Sequence, residues 1–505
     1  MKKYFIKAKK IYTFDHQKSI YDTLLIENNK ISDLGNNLIP KDTDIPIIDL
    51  SDYIILPGFI DSHVHLTSTA INEILIDLSN FTSIKEIVKA LEALRDSLPE
   101  GDWIVAKEFD PVNLEEKRNI TQEELDKNFP KHPVLIIRKD SHSSIINSLG
   151  MKLLDVEIFP ENGLIKERDH QIAIGKVYQN IDPSLLVKGL IKTLKKAAEK
   201  GITTIHALEG GYTSPPNSPQ LLLGLSQYFP IDVIIYYQTT SIKKVKELGL
   251  RRIGGCLLVD GSISTLTAAV SEPYLPNQGY GVLFWDMETL SNFIRTAHKE
   301  DLQIAFHAVG DRGIDLLVRA YQKVLKEIPK EDHRHRIEHF ELPNKEHIKL
   351  ASQLNLTLSL QPSFLYFWGG EGKLYEQLLG KERAKRIIPL RSILKEEITA
   401  GGGSDSSVTP MDPFLGIYSA INHPNEEERI TLEEAIKMFT YNGAYIGFIE
   451  KEKGSIERNK DADLVILEKN PFEFREKEEI LNIKIVATIS RGRFVYKDTN
   501  LVTNL

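Results

Sequence analysis

The chain has 505 residues, of which 41% are hydrophobic, and its 63 basic and 71 acidic side chains give a formal net charge of −8. That length is too great for one simple core and predicts two or more structural units in a soluble globular protein. The negative net charge and the absence of a basic block argue against a general affinity for nucleic acid or for an anionic membrane.

Targeting signals are not evident. Lys7, Lys9 and Lys10 interrupt the apolar character of the N-terminal segment, so no signal peptide is expected. No segment approaches the roughly 20 apolar residues of a membrane span. The single cysteine, Cys256, excludes an intramolecular disulfide and fits a reducing compartment. We therefore expect a cytoplasmic protein with no nucleic-acid or membrane partner.

Both ends of the chain have the composition of short strands. Strand-like runs are found at 4–6, 10–14, 23–26, 45–48, 462–467, 484–489 and 493–496, with turn residues between them. Pro46 makes the run at 45–48 an edge strand at best. We predict a small β-sandwich domain that is assembled from residues 1–56 and 455–505.

Residues 57–454 alternate strand-like runs with helical stretches, which is typical of parallel strands linked by helices. We predict eight strands, the first ending at His63 and the others at 202–206, 231–237, within 253–259, and at 303–307, 336–339, 356–360 and 398–400. An insertion of about residues 72–196, with strand-like runs at 103–106 and 133–137, is predicted to form a lobe over the barrel mouth. The remainder is close to the ~250 residues of a typical (β/α)8 TIM barrel, so the predicted fold class is α/β.

Histidines stand at the ends of several predicted barrel strands, where the active residues of this fold lie. Strand one ends in His63 and His65, which share one side of a strand because they are two residues apart. His206, His307 and His339 end strands two, five and six, and Asp405 follows the glycines after strand eight. The other histidines outside the insertion motif are predicted to be solvated loop or helix positions: His16, His132, His170, His298, His333, His335, His347 and His423.

Imidazoles and one carboxylate that converge on a barrel mouth suit a divalent metal of the zinc type, whereas calcium or magnesium would need more oxygen ligands. Such a metal lowers the pKa of bound water to about 7 and polarises a carbonyl group. The pattern therefore predicts a hydrolase. The alternatives are two half-exposed strand-end histidines and, for Asp405, a turn or helix N-cap residue among serines.

Four motifs occur in an order that can be matched to a family: Pro57 to His65, His307 to Asp311, Arg336 to His339, and Gly403-Ser404-Asp405. The chain resembles the metal-dependent amidohydrolase superfamily over nearly its whole length. Asp260-Gly261-Ser262, Glu272-Pro273-Tyr274 and the run from Gly454 to Leu464 resemble the branch that includes N-substituted formamide deformylase, the amidohydrolase 3 type.

The resemblance implies roles for individual residues. His63 and His65 are expected to hold one metal ion, and His307 and His339 a second. Asp405 is expected to bind the first ion and to act as the general base, taking a proton from metal-bound water and passing it to the leaving nitrogen.

Strand four departs from the family pattern. Many members carry there a carboxylated lysine that bridges two metals, whereas this chain has Cys256 at the aligned position. A thiolate is anionic and can bridge, so Cys256 is a candidate metal ligand. Alternatively, Cys256 is a small buried packing residue low in the barrel. In that case the site would hold one metal, or Asp260 would reach it.

Substrate contacts are predicted for His206, for His142 in an Asp-Ser-His segment of the insertion, and for Gln361 after strand seven. Either histidine could instead be a hydrogen-bonded structural residue. Asp311 is a candidate to orient His307. Leu266 stands where this branch often has an arginine, which leaves recognition of an anionic substrate through that position in doubt.

The sequence thus predicts a hydrolase of a C–N bond in a small molecule, most simply a linear amide or an N-acyl or N-formyl compound rather than a peptide. The cofactor would be one or two divalent ions, with zinc favoured. Deamination of an amino-heterocycle at a single metal is the main alternative, and a non-catalytic binding or assembly barrel ranks behind both. The sequence is compatible with a homo-oligomer.

Overall fold

A computed structural model describes residues 3–40, 44–96, 98–139, 143–154, 161–211, 214–499 and 501. The chain divides into two compact units. The first comprises Met1–Leu66, Leu194–Glu209 and Pro219–Leu505, and the second comprises Thr67–Thr193 and Gly210–Ser218. None of the helices in the described part of the chain has the length and apolar character that a membrane crossing needs.

The strands of the described residues fall into three sheets. In chain order they are β1 (Lys3–Tyr12), β2 (Ile20–Glu27), β3 (Lys30–Gly35), β4 (Ile47–Pro57), β5 (Phe59–Val64), β6 (Ile76–Asp77), β7 (Ile104–Phe109), β8 (Val134–Arg138), β9 (Ser143–Ile146), β10 (Leu164–Lys166), β11 (Ile202–Gly210), β12 (Asp232–Gln238), β13 (Arg252–Leu258), β14 (Gln303–Ala308), β15 (Arg336–His339), β16 (Thr357–Leu360), β17 (Ala400–Gly402), β18 (Leu464–Leu467), β19 (Ile485–Ser490) and β20 (Arg493–Lys497).

Helices link many of these strands. The α-helices of the described residues are α1 (Leu66–Asn72), α2 (Ile84–Arg95), α3 (Gln122–Asn128), α4 (Ser148–Leu154), α5 (Glu167–Gln179), α6 (Pro183–Glu199), α7 (Ser218–Leu225), α8 (Ile242–Glu247), α9 (Met287–Lys299), α10 (Asp311–Glu327), α11 (Lys345–Gln353), α12 (Ser363–Trp368), α13 (Leu374–Leu379), α14 (Lys381–Ala384), α15 (Leu390–Lys395), α16 (Pro413–Ile421), α17 (Leu432–Met438) and α18 (Tyr441–Ile446). Short 3-10 helices span Pro111–Asn113, Ser226–Tyr228, Glu426–Glu428, Pro471–Glu473 and Lys477–Asn482.

Strands from both ends of the chain form one seven-stranded sheet, in the order β20-β19-β18-β4-β1-β2-β3. A sandwich of two sheets was predicted, but β4 pairs with β1 on one side and with β18 on the other and so joins the strands into a single sheet. Residues 47–50 of β4 pair with β1, whereas β18 pairs with residues 54–57, so among the described residues the predicted run at 45–48 has a strand on one side, as expected for an edge. Pro46 lies just before β4, so its missing backbone N–H costs the sheet no hydrogen bond. Its carbonyl accepts a hydrogen bond from the backbone N–H of Phe5.

The barrel strands β5 and β11 to β17 form an eight-stranded sheet whose neighbours follow chain order. Neighbouring strands of this sheet pair in parallel, as in β5 with β11 and β14 with β15. Val64 at the end of β5 forms a parallel bridge with Ser406, after β17, which brings the two ends of the sheet together. The sheet is thus a nearly closed parallel barrel, as expected for the (β/α)8 class.

The helix α10 illustrates why the segments between strands cover the barrel. Its buried residues Ile314, Leu317, Tyr321 and Val324 recur every three or four positions, which gives one apolar face. The helix follows β14 and precedes β15 in the chain. It is therefore the crossover between two parallel strands, and its apolar face covers them.

The second unit has its own five-stranded sheet, in the order β10-β9-β8-β7-β6. Strands β7 and β8 occupy the two runs that were predicted as strands in the insertion. Ser83 caps α2 and Thr121 forms a capping box with Glu124 at α3, which satisfies backbone donors at the helix starts. His142 lies outside the described residues.

Candidate metal centre

The first two histidines are positioned by β5. His63 is the penultimate residue of this strand and His65 follows it, so both side chains leave the same side of the chain. Asp61, two residues before His63, accepts hydrogen bonds from the backbone N–H of His63 (3.2 Å) and of Ser404 (2.9 Å). Burial raises the pKa of Asp61 to about 6. The carboxylate therefore ties the end of β5 to the loop that carries Asp405.

The second histidine pair comes from neighbouring strands. His307 lies on β14 and His339 ends β15, where it pairs in register with Ala308. His339 has a φ of 69°, a left-handed conformation that histidine tolerates better than most residues. This turn interrupts the strand alternation and brings the His339 ring within 4.4 Å of the His307 ring, measured between centroids.

Asp405 lies against the first histidine pair. Its Oδ1 is 3.2 Å from Nε2 of His63 and 3.2 Å from Nε2 of His65. The Asp405 N–H donates to the carbonyl of His63 at 2.8 Å, so the backbone of this loop is fixed to β5. Asp405 is 6% exposed. The carboxylate is thus held inside the barrel mouth rather than at a solvated turn.

Cys256 lies between the two histidine pairs. Its Sγ is 3.5 Å from Nε2 of His63 and 3.9 Å from Nε2 of His339. The candidate ligand atoms form three overlapping groups, in each of which all atoms lie within 4.8 Å of one another: His63, His65 and Cys256; Cys256, His307 and His339; and His63, His339 and Asp405. The thiol is therefore level with the imidazole nitrogens and not below them in the barrel.

Hydrogen bonds hold one ring nitrogen of His63 and one of His307, and other buried polar atoms of the cluster are left without a partner. His63 Nδ1 donates to Glu338 Oε2 at 2.7 Å, and His307 Nε2 donates to the carbonyl of Gly261 at 3.0 Å. His307 Nδ1, His339 Nδ1 and Asp405 Oδ1 are buried and have no hydrogen-bond partner among the described residues. Buried unpaired lone pairs are costly, and a cation would satisfy them.

The electrostatics of the cluster also favour a cation. Burial raises the pKa of the Cys256 thiol, but the charges of His63 and His65 and hydrogen bonds with His307 and His339 outweigh it and hold that pKa well below its usual value. Burial lowers the pKa values of His65 and His307, but the Cys256 thiolate raises them to about 10 and about 9. The cluster thus retains protons that a divalent ion would replace on binding.

The donor set fits a metal of the zinc type, because imidazole nitrogen, thiolate sulfur and carboxylate oxygen are its usual ligands. Cys256 belongs to both histidine groups, so the geometry accommodates a bridging role.

The structure does not bring His206 to this cluster. We predicted it at a strand end, but β11 continues to Gly210, and the fully buried His206 hydrogen bonds to Arg336 through Nδ1 (2.9 Å). Gln361 follows β16 and is also buried. Its Nε2 donates to the Ser359 carbonyl, and its Oε1 has no hydrogen-bond partner among the described residues.

The two neighbouring aspartates have other partners. Asp260 accepts hydrogen bonds from the backbone N–H groups of Ala269, Val309 and Gly310, so its carboxylate organises loops instead of reaching a metal. Asp311 bonds to Ser271 and does not orient His307, which is held by the Gly261 carbonyl.

Sequence reasoning missed Glu338, which bonds to His63, and Arg336, which bonds to Glu338. The signal was present, since residues two apart on a strand share a face and both belong to the Arg336-Ile337-Glu338-His339 motif. It also misjudged most of the remaining histidines, which were predicted to be solvated. The following are buried: His132, His170, His298, His333, His335, His347 and His423.

Comparison with known proteins gives consistent results. A model of the amidohydrolase family matches residues 46–496. The chain is 26% identical to YtcJ of Bacillus subtilis (strain 168), an amidohydrolase by its name, over 96% of this chain and 98% of that protein. It is 22% identical to N-substituted formamide deformylase of Arthrobacter pascens over 97% of both chains. The crystal structure of an uncharacterized metal-dependent hydrolase from Pyrococcus furiosus superposes with a TM-score of 0.79 at 26% identity, covering 93% of this chain and 100% of that one.

Proposed function

This chain belongs to the amidohydrolase family, and from that premise we propose that it is a metal-dependent hydrolase of carbon–nitrogen bonds in small molecules. The proposed substrate is a linear amide, in particular an N-acyl or N-formyl compound, rather than a peptide. The likeness to N-substituted formamide deformylase over 97% of the chain supports this class. The observation that carries the proposal is the position of Cys256 between two histidine pairs, with Asp405 across one of them.

The proposed ligand set is divided between two ions that share the thiolate. His63, His65 and Asp405 would hold one ion, His307 and His339 would hold the other, and Cys256 would be a ligand of both. When bound, a divalent ion of the zinc type acidifies water and polarises the carbonyl group of an amide.

Asp405 is the proposed general base. Burial raises its pKa, but His63 and His65 outweigh burial and hold that pKa well below its usual value, so the group is a carboxylate at neutral pH. Asp405 can accept a proton from the attacking water and then donate it to the leaving nitrogen. One carboxyl group thus performs both proton transfers.

Two residues remain proposed substrate contacts. Gln361 has a buried Oε1 without a partner among the described residues, and this oxygen could accept the N–H of an amide. His142 keeps the same role on sequence grounds alone.

Deamination of an amino-heterocycle is the second candidate, because one observation favours it. That reaction needs an extra acid near the metal, and Glu341 is a buried carboxyl two residues after His339. Burial raises its pKa to about 7, and Tyr375 donates a hydrogen bond to its Oε2 at 2.9 Å. Cys256 belongs to the candidate ligand groups of both histidine pairs, so we favour amide hydrolysis at two ions over deamination at one.

An assay of zinc-loaded protein separates the two. The compounds are one amine presented as its N-formyl, N-acetyl and dipeptide derivatives, together with an amino-heterocycle. We expect release of the free amine from the N-acyl compounds, and a kcat about 10²- to 10⁴-fold lower in Asp405→Asn. Asp311→Asn is the control. The Asp311 carboxylate is bonded to Ser271, so this substitution should leave kcat unchanged. Ammonia released from the heterocycle, without cleavage of any amide, would overturn the proposal in favour of deamination.

A further inference from the structure

A completely buried ion pair lies beside His63 in the barrel interior. Arg336 and Glu338 are two residues apart on β15 and are both 0% exposed. Arg336 Nε lies 2.5 Å from Glu338 Oε1 and Nη2 lies 2.9 Å from Oε2, which is a two-pronged contact. This geometry fixes the plane of the carboxylate as well as its position.

The free lone pair of this carboxylate is directed at a candidate metal ligand. Glu338 Oε2, which already accepts from Arg336, also accepts the Nδ1–H of His63 at 2.7 Å. Imidazole has one proton in its neutral form, so a proton held at Nδ1 leaves the lone pair at Nε2. Nε2 is the atom that faces Cys256 and Asp405.

Arg336 is in turn held from three other strands. Its Nη2 donates to the carbonyl of Ser62 at 2.9 Å on β5, and its Nη1 donates to Nδ1 of His206 at 2.9 Å on β11. Its guanidinium lies 4.1 Å from the ring centroid of Tyr236 on β12. The guanidinium therefore cannot turn without losing contacts to several strands at once.

The state of His206 follows from this arrangement. Because arginine only donates, Nδ1 of His206 must be the acceptor, and the ring is neutral with its proton at Nε2. Burial, together with the charge of Arg336, lowers the pKa of His206 well below its usual value, which agrees with a neutral ring. A side chain at Gly447 would approach His206 Nε2 to 2.7 Å, so the ring is also confined on its far side.

Stability alone is a weak reason for such a pair. Burying both charges costs several kcal/mol, and replacing buried ion pairs by apolar residues is often neutral or stabilising. A role in fixing a neighbour's geometry accounts for the cost. Carboxylates that accept the free N–H of a metal-bound histidine set its tautomer and orientation in many metal sites.

We propose that Glu338, clamped by Arg336, is the positioning residue that holds His63 in its metal-binding tautomer and orientation, and that His206 positions Arg336 rather than contacting substrate. This inference rests on the proposed function only in taking His63 as a metal ligand. It assigns Glu338 and His206 to the support of the metal and not to the reaction itself.

The test measures Co²⁺ affinity by competition with a chelator and the visible absorption of the Co²⁺ protein, in wild type and Glu338→Gln. The amide removes the charge at nearly constant shape. We expect one Co²⁺ ion to bind about 10- to 100-fold more weakly, and the spectrum of the loaded site to shift. A merely structural role would lower stability without changing either Co²⁺ readout.

Glu450→Gln provides the matched control. Glu450 also accepts two hydrogen bonds from one arginine, Arg334 (3.0 and 3.1 Å), but has no contact with any of the candidate ligands. The Glu450→Gln variant should change the unfolding midpoint and leave the Co²⁺ affinity at the wild-type value. His206→Asn is the second variant, for use if Glu338→Gln does not fold, and should weaken Co²⁺ binding in the same direction by a smaller factor.

The outcomes separate the two proposals. If wild type binds Co²⁺ and both Glu338→Gln and His206→Asn match it in affinity and spectrum, the positioning role is overturned and the proposed function stands. If wild type itself binds no Co²⁺ or Zn²⁺, the proposed function fails and takes this inference with it.

Discussion

Two groups of histidines lie at opposite ends of the barrel. The mouth cluster, at the C-terminal ends, comprises His63, His65, His307 and His339. The base cluster comprises His298, His333 and His335, which precede the strands β14 and β15. Most of these rings are buried, and they differ in what their nitrogens face.

In the base cluster every ring nitrogen has a hydrogen bond. His335 Nδ1 accepts the Ile304 N–H, its Nε2 donates to His298 Nδ1 (2.8 Å), and His298 Nε2 donates to the Ile328 carbonyl. His333 accepts the N–H of His335 and donates to the Leu354 carbonyl. Three neutral rings satisfy all of these hydrogen bonds and leave no ring lone pair for a ligand.

In the mouth cluster the nitrogens face a thiol, a carboxylate and one another. The nearby anions therefore raise the pKa values of His65 and His307, whereas burial lowers the pKa of His333 to about 4. Histidine content alone does not identify a metal site. The mouth cluster differs from the base cluster in the thiol and the carboxylate beside its rings, and these groups support the proposed metal site.

The largest test of this contrast exchanges one ring in each cluster for alanine. His339→Ala should lose bound metal and reduce the proposed amide hydrolysis to background, because it removes a proposed ligand. His335→Ala should keep its metal content and lower the free energy of unfolding by about 2 to 4 kcal/mol, because it leaves a cavity and unpaired donors. Elemental analysis, activity and urea unfolding of both variants give the comparison.

The expected pattern is a crossed one. Loss of metal from His335→Ala, or retention of metal by His339→Ala, would mean that the two clusters do not have the separate roles inferred here.

A smaller effect is expected from pH. The folded pKa of His333 lies below its unfolded value, so the unfolded state binds more protons and stability rises with pH between about 4 and 6.5. The contribution is complete above pH 6.5 and is lost as the pH falls to 4, at a cost of up to about 3 kcal/mol. Urea unfolding of wild type and His333→Gln across this range measures it. Equal slopes in the two proteins would contradict the assignment.

Much of the barrel could be predicted from sequence because its strands are short apolar runs that end in recognisable residues. His63, His65, His307 and His339 stood at predicted strand ends, and the structure brings all four together. The reason is geometric, since the ends of parallel strands in a barrel meet at one mouth.

Long-range partners could not be predicted. The prediction that His206 ends a strand was wrong, because β11 continues four residues beyond the predicted strand, to Gly210. The base histidines were taken as solvated, since nothing local indicates that His335 bonds to His298 across 37 residues. The register in which β4 pairs with β18 was not predicted either, because β18 comes from the far end of the chain.

The central claim is that Cys256 bridges two metal ions, and metal content per chain tests it most directly. Elemental analysis would be made on wild type and Cys256→Ala, both purified without added metal. We predict about two zinc equivalents in wild type and a clear fall in the variant, together with loss of amide hydrolysis. About one equivalent in both proteins would contradict the claim and make Cys256 a packing residue beside a single metal.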